Sequence, residues 1–188
     1  VNFPSKSKDV SYINQLGIKN KYIFALGRFV EEKGFHDLIS SYLKLDIKDI
    51  SLVIAGDADH ETIYSKKLKK LAKESNVILP GFIKGEKLNQ LFSNTSLFVL
   101  PSYHEGLPIA LLEAMSYDIS ILVSNIPANL EVKLNSSDYF EVGNLESLTS
   151  SMRRKINSNL KTSYSEVVKE KYNWDKIAIQ TKKVYDSL

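Results

Sequence analysis

Two glutamates stand eight positions apart in the stretch HEGLPIALLEAM, residues 104–115. A helix that starts at Pro108 would rise roughly 7.5 Å before Glu113, so Glu105 lies at its mouth and Glu113 more than a turn inside. The two carboxylates therefore do not form an acid/base pair by proximity. An ionised side chain on an otherwise apolar helix is unfavourable unless it is paired or hydrogen-bonded. Ribose hydroxyls near a bound diphosphate would supply donors to Glu113, and an exposed place on the one polar helix face is the alternative.

Two cations, Arg28 and Lys33, follow the first predicted strand. Lys33 comes immediately before the first predicted helix, where a positive charge opposes the helix dipole by roughly 0.3 to 1 kcal/mol. An anion held between the two cations would reverse that effect, whereas neutralisation by Glu31 and Glu32 on a solvated surface is the alternative. The helix that begins near Pro108 offers free backbone N–H groups to a phosphate. Both cations and this helix start therefore point to one anion site.

Short, continuously apolar runs alternate with amphipathic helical patterns along the chain. The predicted strands are residues 22–26, 51–55, 77–79, 97–100 and 119–123. Continuously apolar strands are typical of a parallel sheet that helices cover on both faces. The sequence therefore predicts a doubly wound α/β fold with right-handed crossovers. The ligand of such a fold binds at the carboxyl ends of the strands, which both Arg28 and the loop before Pro108 follow.

Only helical patterns occur after about residue 144, over 145–157, 161–172 and 174–188. In the last pattern one face is formed by Trp174, Ile177, Ala178, Thr181, Val184, Tyr185 and Leu188. This face needs a partner surface, and we expect it to be partly buried against the same domain. Because repeats and flexible linkers are missing, we expect a single domain over 1–188, with 1–20 as a lead-in from an interdomain linker and 173–188 as the C-terminal helix.

The length, charge and amino-acid composition of the chain exclude several classes of function. A chain of 188 residues with 43% hydrophobic residues suits one packed domain, and its net charge of +3 is spread out and does not demand nucleic acid. The lack of cysteine excludes disulfides, thiolate metal sites and a cysteine nucleophile, and fits a cytoplasmic location. No apolar run approaches the roughly 20 residues that cross a bilayer, and no signal sequence opens the chain. Because the chain begins at Val1 without Met, we expect a piece of a longer protein.

Two further groups of residues suggest other chemistry. Asp57-Ala58-Asp59, followed by His60 and Glu61, has the acidic spacing of some divalent metal sites, but aspartates after a strand also suit a turn or helix cap, which we favour. His36 and His104 have no repeated ligand spacing; His104 could line a sugar pocket or be an ordinary loop residue. Neither a Gly-x-Gly-x-x-Gly after the first strand nor a P-loop occurs, which argues against a dinucleotide dehydrogenase or a P-loop enzyme.

Five segments, in their order and spacing, resemble the retaining glycosyltransferases of group one, also called family four. The segments are GRFVEEKG, LVIAGDA, VILPGFI, LFVLPSYHEGLPIALLEAM and YNWDKIA. These enzymes have the GT-B fold of two Rossmann-like domains, and the resemblance extends over essentially the whole chain but only over their C-terminal, nucleotide-sugar-binding half. It implies a Rossmann-like parallel sheet with a helical C-terminal tail, and an N-terminal acceptor domain that is absent here. The Glu-x7-Glu element together with the upstream Arg and Lys is much more specific than either part alone.

The resemblance also implies roles for individual residues. The implied catalytic residue is Glu105, and the implied donor-binding residues are Arg28, Lys33, Phe82, Ile83, Gly106, Leu107, Ile109 and Glu113. Arg28, Lys33 and the backbone of 106–109 would bind the diphosphate, Glu105 would contact sugar hydroxyls and Glu113 would hold the ribose. The segment with Phe82 and Ile83 stands where the family's backbone commonly meets the base. Many members have glycine in place of Pro108, which lacks an N–H, so the phosphate would depend more on Leu107 and Ile109.

The resemblance implies transfer of a sugar from a UDP- or GDP-sugar to a glycan or lipid-linked acceptor, with retention at the anomeric carbon and without metal or another cofactor. We expect a role in cell-surface polysaccharide biosynthesis, with the acceptor on the missing domain, so that this fragment binds donor weakly and transfers nothing. The basic excess would suit peripheral contact with the inner face of the cell membrane or an ordinary solvated surface. A non-catalytic nucleotide- or protein-binding module and a nucleotide-sugar epimerase of the same fold are the alternatives.

Overall fold

A computed structural model describes residues 5–47, 49–158 and 163–187. Its strands are β1 (Lys21–Leu26), β2 (Ile50–Ala55), β3 (Leu97–Leu100), β4 (Ile121–Ser124) and β5 (Tyr139–Phe140). They form one parallel sheet in the order β2-β1-β3-β4-β5. Every residue of β3 and β4 is buried, because helices cover both faces of the sheet. This arrangement explains why the strand sequences are continuously apolar.

The helices are α1 (Ser11–Gln15), α2 (Phe35–Leu45), α3 (Ile63–Glu74), α4 (Glu86–Asn94), α5 (Ile109–Ser116), α6 (Pro127–Leu130), α7 (Leu145–Asn157), α8 (Ser165–Lys171) and α9 (Trp174–Tyr185), with short 3-10 turns at Glu31–Lys33 and Ser136–Asp138. Side chains of α2, α3 and α7 fill the core on one face of the sheet, and those of α1, α4, α5 and α8 fill the core on the other. Successive strand residues alternate between the two cores: Phe24 belongs to one, Ile23 and Ala25 to the other. The predicted doubly wound α/β fold is confirmed.

The strands differ from the prediction at two places. Residues 77–79 form only an isolated bridge between Ile78 and Val53. The chain enters this segment through Asn76, whose φ is 54°, and leaves it through Pro80, which has no N–H to extend a ladder. The fifth strand of the sheet is instead β5, which was not predicted. It has two residues, too few to leave a periodic signal in the sequence.

The C-terminal helices differ in burial. α7 has the predicted bounds, and α8 occupies 165–171 of the predicted 161–172, of which residues 161 and 162 lie outside the described residues. Val168 of α8 is fully buried beside α5. On α9, however, Trp174, Val184 and Tyr185 are 53%, 61% and 72% exposed. Ile177 is partly buried as expected, but the expectation is wrong for these three side chains because the other helices already cover both sheet faces. Leu188 lies outside the described residues.

The N-terminal segment contributes to the packing of the domain. Tyr12 and Ile13 of α1 are buried against the core that α4 lines. The backbone N–H of Tyr12 donates to Oε1 of Gln90 at 2.9 Å, and Nε2 of Gln90 donates to Oδ2 of Asp9 at 2.9 Å. Residues 9–15 are therefore fixed to α4. Among the described helices, none has the length and apolar character needed to cross a membrane.

Candidate functional site

A cleft of about 780 Å³ opens where β1 and β2 end and α5 begins. Its lining includes Arg28, Phe82, Ile83, Ile109 and Glu113, five of the residues singled out from the sequence. The cleft lies at the carboxyl edge of the sheet, beside the point where the strand order turns from β1 toward β3. Open α/β sheets bind their ligands at this place. We therefore take the cleft as the centre of the candidate site.

The loop after β1 packs directly against the loop after β3. Gly34 has a φ of 64°, and a Cβ atom added to it would stand 2.2 Å from the carbonyl oxygen of Pro101. The backbone N–H of Tyr103 donates to the carbonyl oxygen of Glu32 at 2.7 Å. Only glycine combines this conformation with so close an approach. The contact joins two segments that are far apart in sequence and carry the candidate charges.

This contact places Lys33 beside Glu105 rather than beside Glu31 or Glu32. The Lys33 Nζ atom is 2.7 Å from Oε1 of Glu105, and the two side chains are 16% and 8% exposed. The same Oε1 atom accepts a hydrogen bond from the Ser102 hydroxyl at 2.7 Å. Oε2 of Glu105 has no hydrogen bond within the described chain. Glu105 is therefore held through one oxygen while the other remains able to accept from a ligand.

Arg28 lies at the cleft with a largely exposed guanidinium group. Its Nη1 atom is 3.2 Å from Oδ2 of Asp59, and its Nη2 atom is 4.0 Å from Oε1 of Glu32. Ion pairs between exposed groups contribute roughly 0 to 1 kcal/mol, so a ligand anion can replace these partners at small cost. Lys33 is held more firmly than Arg28, because its ion pair with Glu105 is largely buried.

Glu113 projects from α5 into the lining of the cleft. It is half-buried, and burial raises the pKa of its carboxyl group above the ordinary value of 4.5. Its carboxylate has no hydrogen bond or ion pair among the described residues. A partly desolvated carboxylate without a protein partner is unfavourable for stability. Hydroxyl donors of a ligand would satisfy it.

The start of α5 supplies backbone donors beside the Lys33–Glu105 pair. Pro108 occupies the cap position before the first helical residue, with φ −77° and ψ 70°. The N–H of Ile109 is engaged by the carbonyl oxygen of Leu107 at 2.8 Å. For Gly106 and Leu107, in contrast, no hydrogen bond of the N–H group occurs in the described part of the chain. The donors open to an anion are thus those just before Pro108, and Ile109 contributes its exposed side chain.

An apolar wall closes one end of the cleft. Phe82 is 78% exposed, whereas the neighbouring Ile83 is buried, and both belong to the lining. The segment turns at Gly81, whose φ is 77° and whose carbonyl oxygen accepts from the N–H of Gly56 at 2.8 Å. An exposed aromatic ring at the rim of a cleft is suited to pack against a planar ligand group.

The aspartates after β2 pair with cations of the chain. Oδ1 of Asp57 is 2.7 Å from Nζ of Lys69, and hydrogen bonding to this lysine lowers the pKa of Asp57. Asp59 faces Arg28, as described above. No cluster of three or more potential metal ligands of the His, Cys, Asp or Glu type occurs in residues 5–47, 49–158 and 163–187. His36 packs between Tyr64 and Tyr103, while His104 is exposed beside Glu105.

The site has two parts that sequence reasoning did not separate. The cleft lining does not include Lys33 or Glu105, but the pair adjoins it. Gly27 lines the cleft, and a Cβ atom built on Gly27 would lie 3.7 Å from Cδ of Lys33. Sequence reasoning also missed Ser102, although its place directly after a strand and Pro101 was a usable signal. Further lining residues that it missed are Leu26, Gly27, Gly56, Lys84, Leu88 and Ala110.

Known proteins resemble the chain along most of its length. An uncharacterized glycosyltransferase of Methanocaldococcus jannaschii is 27% identical over 191 residues, which cover 96% of this chain and 49% of the relative. The capsular polysaccharide biosynthesis glycosyltransferase CapM of Staphylococcus aureus is 24% identical over 143 residues, which cover 73% of this chain and 37% of the relative. The chain thus spans half or less of the length of these relatives.

Solved structures share the fold. The catalytic domain of the cholesterol-alpha-glucosyltransferase of Helicobacter pylori superposes with a TM-score of 0.64 at 27% identity, covering 73% of this chain and 87% of that one. Anabaena HepE, in complex with UDP and glucose, gives a TM-score of 0.86 at 20% identity over 99% of this chain and 54% of that one. The fold therefore matches the C-terminal domains of GT-B glycosyltransferases. Because residues 10–178 also match the family described as glycosyl transferases group 1, the chain belongs to the group 1 glycosyltransferase family.

Proposed function

We propose that the chain is the donor-binding domain of a retaining, family 4 glycosyltransferase. Its donor is a nucleoside-diphosphate sugar, and the transferred group is a hexose or a related sugar. The observation that carries this proposal is the convergence of Arg28, the Lys33–Glu105 pair, the start of α5 and the unpartnered Glu113 at one edge of the sheet. A diphosphate flanked by two sugars supplies an anion for the cations and hydroxyl groups for the carboxylates.

Arg28, Lys33 and the N–H groups of Gly106 and Leu107 bind the diphosphate in this proposal. The exposed ion pairs of Arg28 exchange readily for phosphate oxygens. Lys33 has three donors, so its ammonium group serves a phosphate while it keeps Glu105 as a neighbour. As the bond to the sugar breaks, these fixed charges stabilise the growing negative charge of the leaving diphosphate. We propose that this preorganised charge replaces a metal ion.

The carboxylates and the apolar wall recognise the remaining parts of the donor. Glu113 accepts hydrogen bonds from ribose hydroxyls, which satisfies its buried charge. Glu105 contacts hydroxyls of the transferred sugar through Oε2 and is the proposed catalytic residue. Phe82 and Ile83 adjoin the base, and the side chain of Ile109 lines the same cleft.

The relatives guide the choice of substrate. One acts in capsular polysaccharide biosynthesis and another, AmsD of Erwinia amylovora, in amylovoran biosynthesis. Anabaena HepE has been solved with UDP-glucose. We therefore propose a UDP-sugar, with a GDP-sugar as the second candidate, and a glycan or lipid-linked acceptor in polysaccharide assembly at the cytoplasmic face of the membrane. The acceptor site belongs to the half of the relatives that this chain does not match, so the isolated chain binds donor without transferring it.

Isothermal titration of the chain with UDP and with GDP tests the proposal. We expect one of them to bind with a dissociation constant at or below the millimolar range. Glu113→Ala should weaken that binding about 10-fold or more, because hydrogen bonds to a charged group are lost at roughly 1.5–3 kcal/mol. Glu74→Ala, an exposed glutamate on α3, is the matched control and should bind as the unmodified chain does. Absence of binding at several millimolar, or equal binding by the Glu113 variant, would refute the assignment.

A further inference from the structure

The Glu105 carboxylate is held asymmetrically. Oε1 is 2.7 Å from Nζ of Lys33 and also accepts the Ser102 hydroxyl at 2.7 Å. Oε2 receives no donor within the described chain. Two donors on one oxygen fix the plane of the carboxylate and direct its second oxygen away from them. The orientation of Glu105 therefore depends on Lys33 and Ser102 together.

Ser102 is itself fixed in the interior. It is fully buried at the end of β3, and its carbonyl oxygen accepts a hydrogen bond from the Ser124 hydroxyl at the end of β4. Asn129 of α6 donates from Nδ2 to the Ser124 carbonyl oxygen at 2.9 Å and to its hydroxyl at 3.2 Å. Ser124 and Asn129 are also fully buried. The Ser102 hydroxyl thus starts from a rigid backbone position and points at the site.

Lys33 and Ser102, the two donors to Glu105, respond differently to a bound phosphate. The Lys33 ammonium group is carried on a flexible stem, and once a phosphate arrives it shares its three donors between the phosphate and Glu105. The Ser102 hydroxyl has a short side chain with one rotatable bond to the buried backbone, and its proton is already committed to Oε1. Once an anion competes for Lys33, Ser102 is the donor that keeps the Glu105 carboxylate in place.

We propose that Ser102 is a positioning residue that orients Glu105 toward the sugar of the donor. The inference deepens the proposed function and rests on it, because it assigns the sugar-dependent part of donor affinity to the Ser102–Glu105 hydrogen bond. The diphosphate and the nucleoside are bound by other residues. Loss of the Ser102 hydroxyl therefore weakens recognition of the sugar and leaves recognition of the nucleotide intact.

The experiment compares each nucleotide with its sugar conjugates by isothermal titration. The probes are UDP, UDP-glucose, UDP-N-acetylglucosamine, GDP and GDP-mannose. The ratio of the dissociation constants of the diphosphate and its conjugate gives the sugar increment. We expect the unmodified chain to show an increment above one for at least one sugar. Ser102→Ala should remove most of that increment and bring the ratio close to one, as Glu105→Gln does, while the affinity for the bare diphosphate changes less than about twofold.

Two variants separate positioning from a general effect on folding. Ser102→Thr keeps the hydroxyl and should restore most of the increment. Ser151→Ala removes a buried serine of α7 that neither lines the cleft nor bonds to Lys33, Ser102 or Glu105, and it should leave both affinities unchanged. Thermal melting of each variant verifies that it is folded.

The outcomes distinguish this inference from the proposed function. Equal weakening of diphosphate and conjugate in Ser102→Ala, an unchanged increment, or no increment in the unmodified chain would overturn the role of Ser102 while nucleotide binding still supports a donor site. A chain that binds none of the nucleotides would overturn both.

Discussion

At the residue scale, Glu113 combines a half-buried position with a carboxylate that lacks a partner in the described chain. Burial raises the pKa of this carboxyl group above its ordinary value of 4.5. The folded protein therefore holds the proton more tightly than the unfolded chain does. The stabilising contribution of protonated Glu113 is complete below pH 4.5 and is lost as the pH rises through the folded-state pKa. At neutral pH the charged group lowers stability.

Glu113→Gln is consequently expected to raise the melting temperature at pH 7. The difference from the unmodified chain should shrink as the pH falls and vanish near pH 4, where Glu113 is protonated in both states. Melting curves from pH 4 to 8 measure this, with Glu74→Gln as a control whose difference stays nearly constant. A Glu113→Gln variant that is less stable at pH 7 would contradict the assignment of an unfavourable buried charge.

The sequence predicted the residue types of the site but not their partners. Arg28, Lys33, Glu105 and Glu113 were singled out because they follow strands or interrupt an apolar helix. The pairing of Lys33 with Glu105, however, depends on the approach of two loops whose paired residues are 72 positions apart. Local patterns favoured Glu31 and Glu32 as partners because they carry no information about such a contact. The hydrogen bond from Ser102 to Glu105 was missed although the place of Ser102 directly after a strand was a usable local signal.

At the element scale, Gly34 is the point where the loop after β1 meets the loop after β3. Its φ of 64° and the 2.2 Å distance from a built Cβ to the Pro101 carbonyl oxygen leave no room for a side chain. Gly17, which follows α1, has a similar φ of 75° but nothing within 4 Å of its built Cβ. The two glycines share the backbone strain of a left-handed conformation and differ in the steric contact alone.

We expect Gly34→Ala to lower the free energy of unfolding by about 2–4 kcal/mol, the sum of left-handed strain and a backbone clash. Gly17→Ala should cost only about 1 kcal/mol, because it has the strain without the clash. Urea unfolding measures both. Gly34→Ala should also weaken diphosphate binding, since it separates Lys33 from Glu105. Equal losses of stability in the two variants would show that the loop contact is not tight.

The bounds of a helix or strand were predictable where neighbouring residues in the sequence determine them. The bounds of α7 agree with the sequence because Asn144 caps the helix, accepting from the N–H groups of Glu146 and Ser147 at 3.1 and 3.0 Å. Residues 77–79 have strand-forming residue types, but their neighbours leave only a bridge to Val53. β5 owes its existence to pairing with β4 rather than to its own two residues. Tertiary contact decides such short elements.

At the scale of the whole molecule, α9 stands apart from the two cores. Trp174, the only tryptophan of the chain, is 53% exposed, and Tyr185 near the other end of the helix is 72% exposed. In contrast, Val168 of the preceding helix is fully buried. The stability of the domain should therefore depend on α8 and be nearly independent of the apolar face of α9.

Trp174→Ser combined with Tyr185→Ser should change the free energy of unfolding by less than about 0.5 kcal/mol per substitution, because surface side chains contribute little. Val168→Ala should cost about 2 kcal/mol, because it leaves a cavity. Urea unfolding followed by circular dichroism compares them, and the indole emission of the folded chain should resemble that of a solvated tryptophan. A large loss of stability in the double variant would mean that α9 packs against the domain.

The strand order also determines when the cleft can form as the ribosome synthesises the chain. The cleft takes one wall from the loops after β1 and β2 and the other from α5, and β3, which precedes α5 in sequence, is inserted beside β1. A nascent chain that has emerged from the ribosome only as far as β2 has part of the cleft lining and neither Glu105 nor Glu113. The proposed ligand can contact Glu113 only after α5 has packed beside β3, so nucleotide binding has to follow the synthesis of β1, β2, β3 and α5.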